Sequence, residues 1–169
     1  MRPGIVIFLF LLSTGNSFAE EADYVVPTLS PLKYSSGSCE QYACFAGVMT
    51  LNGSLIIGKE EDHRLRIVFV PDSKTRSLLP YHKGNGPVTE ILVKDKTKQV
   101  LSLLPEVLRE RIRVGEALGV QFQATIVATD YQATAECDHW YYIIGAVVRI
   151  EKITKPIPIQ AKVAPRGCG

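Results

Sequence analysis

The residues best suited to acid–base chemistry form one short segment, in which Glu136, Cys137, Asp138 and His139 follow one another. A carboxylate and an imidazole transfer protons when both side chains reach the same substrate atom. Neighbouring residues of an extended segment point in opposite directions, however, so this spacing does not bring the two groups together. The segment therefore favours a structural role over a catalytic one.

Other patterns of catalytic or cofactor chemistry are missing from the sequence. No Gly-x-Ser-x-Gly nucleophile pattern occurs. Residues 84–86 are glycine-rich but lack the Lys-Ser/Thr pair of a phosphate-binding loop, so these glycines indicate a turn. The histidines have no spacing typical of a metal site, and they are His63, His82 and His139. We therefore predict no catalytic residue, no metal site and no cofactor.

The aromatic residues suggest binding instead of catalysis. Trp140, Tyr141 and Tyr142 are consecutive, so in a strand Tyr141 points to the face opposite the other two. An exposed tyrosine offers an apolar ring and a polar hydroxyl, a combination suited to sugars and peptides, whereas buried members of this run fill the core. We predict a ligand-binding face from the second strand and the last inter-strand loop, consisting of Arg64, Arg66, Tyr131, His139 and Tyr141.

The N-terminus has the composition of a cleavable secretory signal over residues 1–19. Arg2 precedes an uncharged apolar run at residues 4–12, and Ser17 and Ala19 place small residues before the cleavage point. The run is shorter than the ~20 residues of a membrane-spanning helix. We predict a periplasmic or secreted protein with no membrane span after cleavage, divided into an extended arm (20–38), a domain (39–155) and a C-terminal tail (156–169).

The charge balance narrows the class of partner. Of the 19 basic residues only Arg2 falls in the predicted signal, so the remainder nearly balances the 17 acidic residues. Proteins that bind nucleic acid use an excess of Lys and Arg to neutralise phosphates. The sequence thus disfavours nucleic acid as a partner and leaves an extracytoplasmic protein or a cell-envelope glycan.

The elements that must position these residues are mainly strands. The segment 100–112 changes to helical spacing, with Pro105 as the first residue of a helix that runs to about Ile112. Apolar alternation predicts strands at 46–57, 64–70, 88–93, 120–128 and 139–150. We expect the first two of these strands to form a hairpin, with a bulge or bend near Gly53. The polar composition of residues 71–87 and 129–137 predicts loops.

Five strands with one helix between the third and the fourth is the element order of an OB-fold barrel. Residues 45–151 also resemble an uncharacterised family of small exported bacterial domains. The resemblance lies in the long strand around residues 50–53, the helix ending at 113–115 and the strand pair that follows. It implies a five-stranded OB-like barrel with one helix, and it implies no activity.

All four cysteines lie after the predicted signal, and an even number in an exported chain predicts two disulfides. In an OB barrel the first and fourth strands are antiparallel neighbours. The predicted fold therefore favours the pairs Cys44–Cys137 and Cys39–Cys168. The pairs Cys39–Cys44 and Cys137–Cys168 are the alternative.

These observations predict an exported, non-enzymatic binding domain that recognises an envelope protein or glycan. One alternative is an inhibitor or immunity protein directed against a cell-wall hydrolase, which the size, the cysteines and the export signal suit. The other is a small secreted hydrolase that uses the carboxylates of residues 58–63 and 136–139.

Overall fold

The computed structural model describes residues 21–35, 43–59, 65–94, 102, 105–113, 119–136 and 139–159. The predicted signal peptide lies outside these residues. A 3-10 turn at Glu21–Asp23 comes first, and the described helices are α1 (Ser73–Arg76) and α2 (Glu106–Arg113). The strands are β1 (Tyr24–Val25), β2 (Lys33–Ser35), β3 (Ala43–Ala46), β4 (Met49–Lys59), β5 (Leu65–Pro71), β6 (Tyr81–His82), β7 (Ile91–Val93), β8 (Gly119–Glu136), β9 (His139–Ile153) and β10 (Ile157–Ile159).

The protein is mainly β, as expected, and the five predicted strands are confirmed as β4, β5, β7, β8 and β9. The predicted hairpin is also confirmed, because β4 and β5 pair antiparallel from Gly53 opposite Pro71 to Lys59 opposite Leu65. Helix α2 begins one residue after Pro105. The proline carbonyl accepts the Arg109 N–H at 3.1 Å, as expected for a proline that starts a helix.

Residues 129–136 are not the predicted loop, because β8 continues to Glu136 by pairing with β9. Short strands in the described part of the N-terminal arm join it to the rest of the protein, since β1 pairs with β6 and β2 with β3. The register of β4 against β8 runs unbroken past Gly53, so the predicted bulge is absent from this pairing. The pairing of β4 with β5 ends at Gly53.

The long strand β8 organises the main sheet. The pairing order is β2-β3-β8-β4-β5-β7-β9, and β9 also pairs with β8, so the path returns to its third strand. Strands β3 and β4 pair with successive parts of one edge of β8, and β9 pairs with the other edge. Strands β7 and β9 are parallel, with Leu92 opposite Ile143.

Gly53 shows how closely the strands approach. A Cβ atom at this position would lie 2.2 Å from the Val70 carbonyl oxygen and 2.9 Å from the Pro71 Cα. The backbones of β4 and β5 therefore approach closely at Gly53. On the other edge of β4, alternate side chains of β4 and β8 enter the core. The buried side chains of this pair include Leu51, Leu55, Ile57, Val120, Phe122 and Ile126.

An aromatic cluster attaches the arm to this core. The rings of Tyr24 and Phe45 meet edge to face with centroids 5.5 Å apart. Phe45 contacts Tyr131 at 5.7 Å, and Tyr131 stacks on Tyr142 at 6.0 Å. Such pairs stabilise a fold beyond the area they bury. Strands β1, β3, β8 and β9 are thus joined through one set of rings. In the described part of the chain, no helix has the length and apolar character needed to cross a membrane.

Candidate functional site

A surface pocket of about 160 Å³ lies beside the parallel pair β7 and β9, and we call it the Tyr141 pocket. Strand β9 contributes two tyrosines, β7 contributes a leucine, and the segment before β7 contributes polar side chains. Pockets that combine an aromatic wall with a few polar groups are typical of binding sites. The residues used in the argument below are Asn85, Thr89, Glu90, Leu92, Tyr141 and Tyr142.

The inner wall of the Tyr141 pocket is held rigidly. Tyr142 is nearly fully buried, and its ring lies 9° from parallel to that of Tyr131. Its hydroxyl accepts the backbone N–H of His82 at 3.1 Å, which ties β9 to β6. Because Tyr141 is the next residue along the strand, its half-buried side chain takes the opposite direction, towards the outer surface. The core thereby positions the exposed tyrosine.

The charge of the Tyr141 pocket comes from one carboxylate. Glu90 is exposed and stands beside the hydroxyl of Thr89 and the amide of Asn85, and no lysine or arginine belongs to the described lining. Burial raises the pKa of Tyr142, although the hydrogen bond from His82 partly opposes this shift. The phenol is therefore neutral at physiological pH. The described lining suits hydroxyl, amide or cationic groups better than anionic ones.

The five predicted ligand-binding residues do not converge on this pocket. Tyr141 lines it. Arg66 lies opposite Gly58 in the β4–β5 hairpin and is absent from the described lining. Arg64 and the side chain of His139 lie outside the described residues, as do most of the carboxylates proposed for a hydrolase.

The side chain of Tyr131 lies in the core and not on a ligand-binding face, which corrects the prediction for this residue. Its side chain is fully buried, and its hydroxyl donates to the Pro80 carbonyl at 2.8 Å. Burial raises the pKa of this phenol well above its usual value. Tyr131 therefore anchors the segment before β6 to β8, and its function is structural.

No sequence pattern marks Glu90, Thr89 or Asn85 as binding residues. The glycines of residues 84–86 indicate only a turn and lack the Lys-Ser/Thr pair of a phosphate-binding loop. The signal that relates them to Tyr141 is topological, because β7 pairs parallel with β9 and so brings the segment before β7 to β9. Pocket-lining residues that are about fifty positions apart are found only through that pairing.

The chemistry open to the Tyr141 pocket is recognition. In the part of the chain that the structure describes, no three His, Cys, Asp or Glu side chains are grouped to hold a metal ion. The pocket instead offers an aromatic ring, hydrogen-bonding side chains and one negative charge. A comparison of the chain with known protein families, with curated proteins and with solved structures found no match to any of them.

Proposed function

We propose that this protein is a non-enzymatic binding domain whose Tyr141 pocket holds a sugar unit of a cell-envelope glycan. The observation that carries the proposal is the half-buried Tyr141 side chain beside Glu90 and Thr89. A tyrosine ring packs against the C–H face of a sugar, while carboxylate, amide and hydroxyl groups bond its hydroxyls. A volume of about 160 Å³ suits one ring-sized group.

The fold supports this assignment. We propose that the strand path that returns to β8 is an OB-like barrel, with β4, β5, β7, β8 and β9 as its five strands and α2 as its helix. Two observations support this: the helix lies between the third and fourth of these strands, and the third pairs parallel with the fifth. OB barrels commonly bind ligands on the surface around their second and third strands and the adjoining loops. The Tyr141 pocket lies beside the third.

We also propose that the chain is exported after cleavage of residues 1–19 and acts in the periplasm or outside the cell, with disulfides in its mature part. Support for the disulfides comes from Cys44, which is nearly buried, and from the lack of a free thiol among the described cysteines. The connectivity stays a prediction because Cys39, Cys137 and Cys168 lie outside the described residues.

The strand register sets a condition on the pair Cys44–Cys137. Cys44 lies opposite Gln132, and β8 runs on to Glu136. Four residues of strand cover ~13 Å, whereas bonded cysteines have Cα atoms ~5.5 Å apart. This bridge therefore requires the chain to turn back towards Cys44 after Glu136. Mapping of peptides from the non-reduced protein will distinguish the pairings.

Binding to glycan tests the proposed function. The oxidised mature protein is mixed with purified peptidoglycan sacculi, and the bound fraction is measured by sedimentation over a range of protein concentrations. Tyr141→Ala removes the ring and is expected to weaken binding by about tenfold or more, whereas Tyr141→Phe keeps the ring and most of the affinity. Glu106→Gln, at an exposed position of α2, is the control for loss of a surface carboxylate.

Other outcomes would contradict the glycan function or favour one of the alternatives. If sacculi retain wild-type and Tyr141→Ala protein equally, or retain neither, the glycan function is wrong. Specific capture of an envelope protein that is unaffected by Tyr141→Ala favours the inhibitor or immunity alternative. Release of soluble fragments from the sacculi favours the hydrolase alternative.

A further inference from the structure

The long strand β8 contains one residue with an unusual backbone conformation. Asp130 has φ of 56°, and among the described residues it alone has a positive φ without being glycine. It follows Ala128, the last residue paired with β4, and precedes Tyr131, the first paired with β3. Aspartate tolerates this left-handed region better than most residues, but glycine adopts it more easily. The position thus keeps a carboxylate where another residue would be less strained.

The neighbouring strand makes room for this residue. A Cβ atom on Gly145 would lie 2.9 Å from the Cβ of Asp130 and 3.4 Å from its carbonyl oxygen. Real Cβ atoms do not approach other atoms this closely without a shift of the structure. Gly145 and Asp130 therefore fit each other, and together they hold an exposed carboxylate in a fixed place on the surface.

Asp130 lines a second pocket of about 190 Å³, which we call the Asp130 pocket. Ser35 of β2 and Gln132 of β8 also line it, and Cys44 of β3 is paired between these two residues. The described lining contains no lysine or arginine. The hydrogen bond recorded for the carboxylate comes from the Thr129 hydroxyl, at 3.3 Å, and no described residue forms an ion pair with it. The pocket therefore presents acceptors and an unpaired negative charge.

We propose that the Asp130 pocket binds an alkylammonium group, supplied by a lysine side chain of a protein partner. An ammonium group is positively charged and donates N–H hydrogen bonds, which suits the carboxylate of Asp130 and the amide oxygen of Gln132 on the same strand. A metal ion is a poorer match, because no third metal-ligating side chain joins Asp130 among the described residues. Strand β2, the end strand of the described sheet path, borders the pocket, so a partner protein can approach from that side.

This proposal does not depend on the glycan function. The Asp130 pocket is lined from β2, β3 and β8, whereas the Tyr141 pocket is lined from β7, β9 and the segment before β7. The two pockets share no described lining residue. A failure to bind sacculi therefore leaves the lysine proposal standing, and a failure to bind lysine leaves the glycan function standing.

The experiment follows backbone amide signals of the ¹⁵N-labelled, oxidised mature protein by NMR during titration. The ligands are N-acetyl-lysine-N-methylamide and its uncharged isostere N-acetyl-norleucine-N-methylamide. The lysine compound is expected to shift the signals of Ala46, Asp130 and Gln132, with half-saturation at millimolar concentration. The norleucine compound is expected to shift none of them.

Asp130→Asn keeps the shape of the side chain and its tolerance of positive φ, but removes the charge. It is expected to weaken binding of the lysine compound by about tenfold or more, because a charge-assisted hydrogen bond is lost. Asp130→Gly is expected to abolish binding without lowering the melting temperature, since glycine relieves the strained backbone. Glu106→Gln, distant in sequence and exposed on α2, is expected to bind as wild type does.

A third ligand identifies the source of the ammonium group. Cadaverine is a free diamine with a stem similar to that of lysine. If it binds about tenfold more tightly than the lysine compound, the ligand is a small amine and the protein partner is refuted. Equal shifts with the norleucine compound, or unchanged lysine binding in Asp130→Asn, refute the whole proposal.

Discussion

The two halves of β8 are built differently although they belong to one strand. Residues 119–128 pair with β4 in an unbroken register from Gly119 opposite Gly58 to Ala128 opposite Met49. In residues 129–136 the same edge of β8 pairs with β3 over three positions instead, while β9 pairs with the opposite edge from Ala124 to Glu136. Register shifts relative to β9 occur just before this change, between Thr125 and Ile126 and between Val127 and Ala128.

The polar groups of the two halves differ in the same way. In the first half, the Gln123 amide donates to the Ser54 hydroxyl at 2.7 Å, and the Thr125 hydroxyl donates to Asn52 at 2.7 Å. In the second half, Asp130 keeps an exposed carboxylate that has no described cation beside it. Polar groups that satisfy one another stabilise a sheet, whereas a strained residue with an unpaired charge suggests recognition. The comparison separates a structural half from a binding half.

The largest expected effect concerns β4, the strand that pairs with the first half of β8. Gly53→Ala places a Cβ atom 2.2 Å from the Val70 carbonyl oxygen, which belongs to a paired strand and cannot turn aside. We expect the free energy of unfolding to fall by about 3 kcal/mol or more, or the protein not to fold. Chemical denaturation followed by circular dichroism measures this loss.

Ser54→Ala is the matched control, because it changes the next residue and removes only a half-buried hydroxyl that accepts hydrogen bonds from Gln121 and Gln123. Its expected cost is about 0.5–1 kcal/mol. A Gly53→Ala protein that is as stable as Ser54→Ala would show that β4 and β5 can separate, and the close-packed description of this half would be wrong.

The second effect concerns the fit between Asp130 and Gly145. Gly145→Ala brings two Cβ atoms within 2.9 Å, and we expect it to cost about 1–2 kcal/mol of unfolding free energy. In an Asp130→Gly background one of these atoms is missing, so the same substitution should cost clearly less. The double-mutant cycle, measured by denaturant unfolding, should give a coupling of about 1 kcal/mol.

The coupling is specific to the second half. Gly53→Ala collides with a carbonyl oxygen and a Cα atom, so no substitution of a single neighbouring side chain should rescue it. If Asp130→Gly does not reduce the cost of Gly145→Ala, the strain lies elsewhere in β9. The two halves of β8 would then not differ in the way described.

The left-handed conformation of Asp130 explains why the sequence predicted only the first part of β8 as a strand. In residues 120–128 the even-numbered side chains are buried, and this alternation predicted a strand. After Asp130 the buried positions are Tyr131 and Ala133, because the left-handed residue shifts the alternation by one. The polar residues between them then resembled a loop. The strand continues because β3 and β9 pair with it, which local composition does not encode.

The candidate site was predictable to a smaller extent. Tyr141 was found because an aromatic residue alternates with buried neighbours in a predicted strand. Glu90 has no such signal, since its relation to Tyr141 arises from the parallel pairing of β7 with β9. The polar composition around Tyr131 predicts a loop and hence an exposed ring, but the structure buries this ring in the core cluster.

The smallest effect tests whether the binding half also has a structural core. Tyr131→Phe keeps the ring stack but removes the hydroxyl that donates to Pro80 at 2.8 Å. The buried Pro80 carbonyl loses its recorded hydrogen bond. We therefore expect the free energy of unfolding at pH 7 to be about 1 kcal/mol lower than that of the wild type. Urea denaturation at pH 7 and at several higher pH values measures this difference.

The pH dependence of that difference follows from the raised pKa of Tyr131, which burial causes. Above about pH 10 the unfolded chain releases the phenol proton while the folded chain retains it, so the wild type loses stability as the pH rises. Tyr131→Phe lacks this group, whereas Tyr24 and Tyr142, whose pKa values burial also raises, titrate in both proteins. The stability difference between the two proteins should therefore narrow above pH 10. A difference that stays constant up to pH 11 would mean that Tyr131 ionises as an exposed phenol does, and that the second half of β8 is open to water on its inner side.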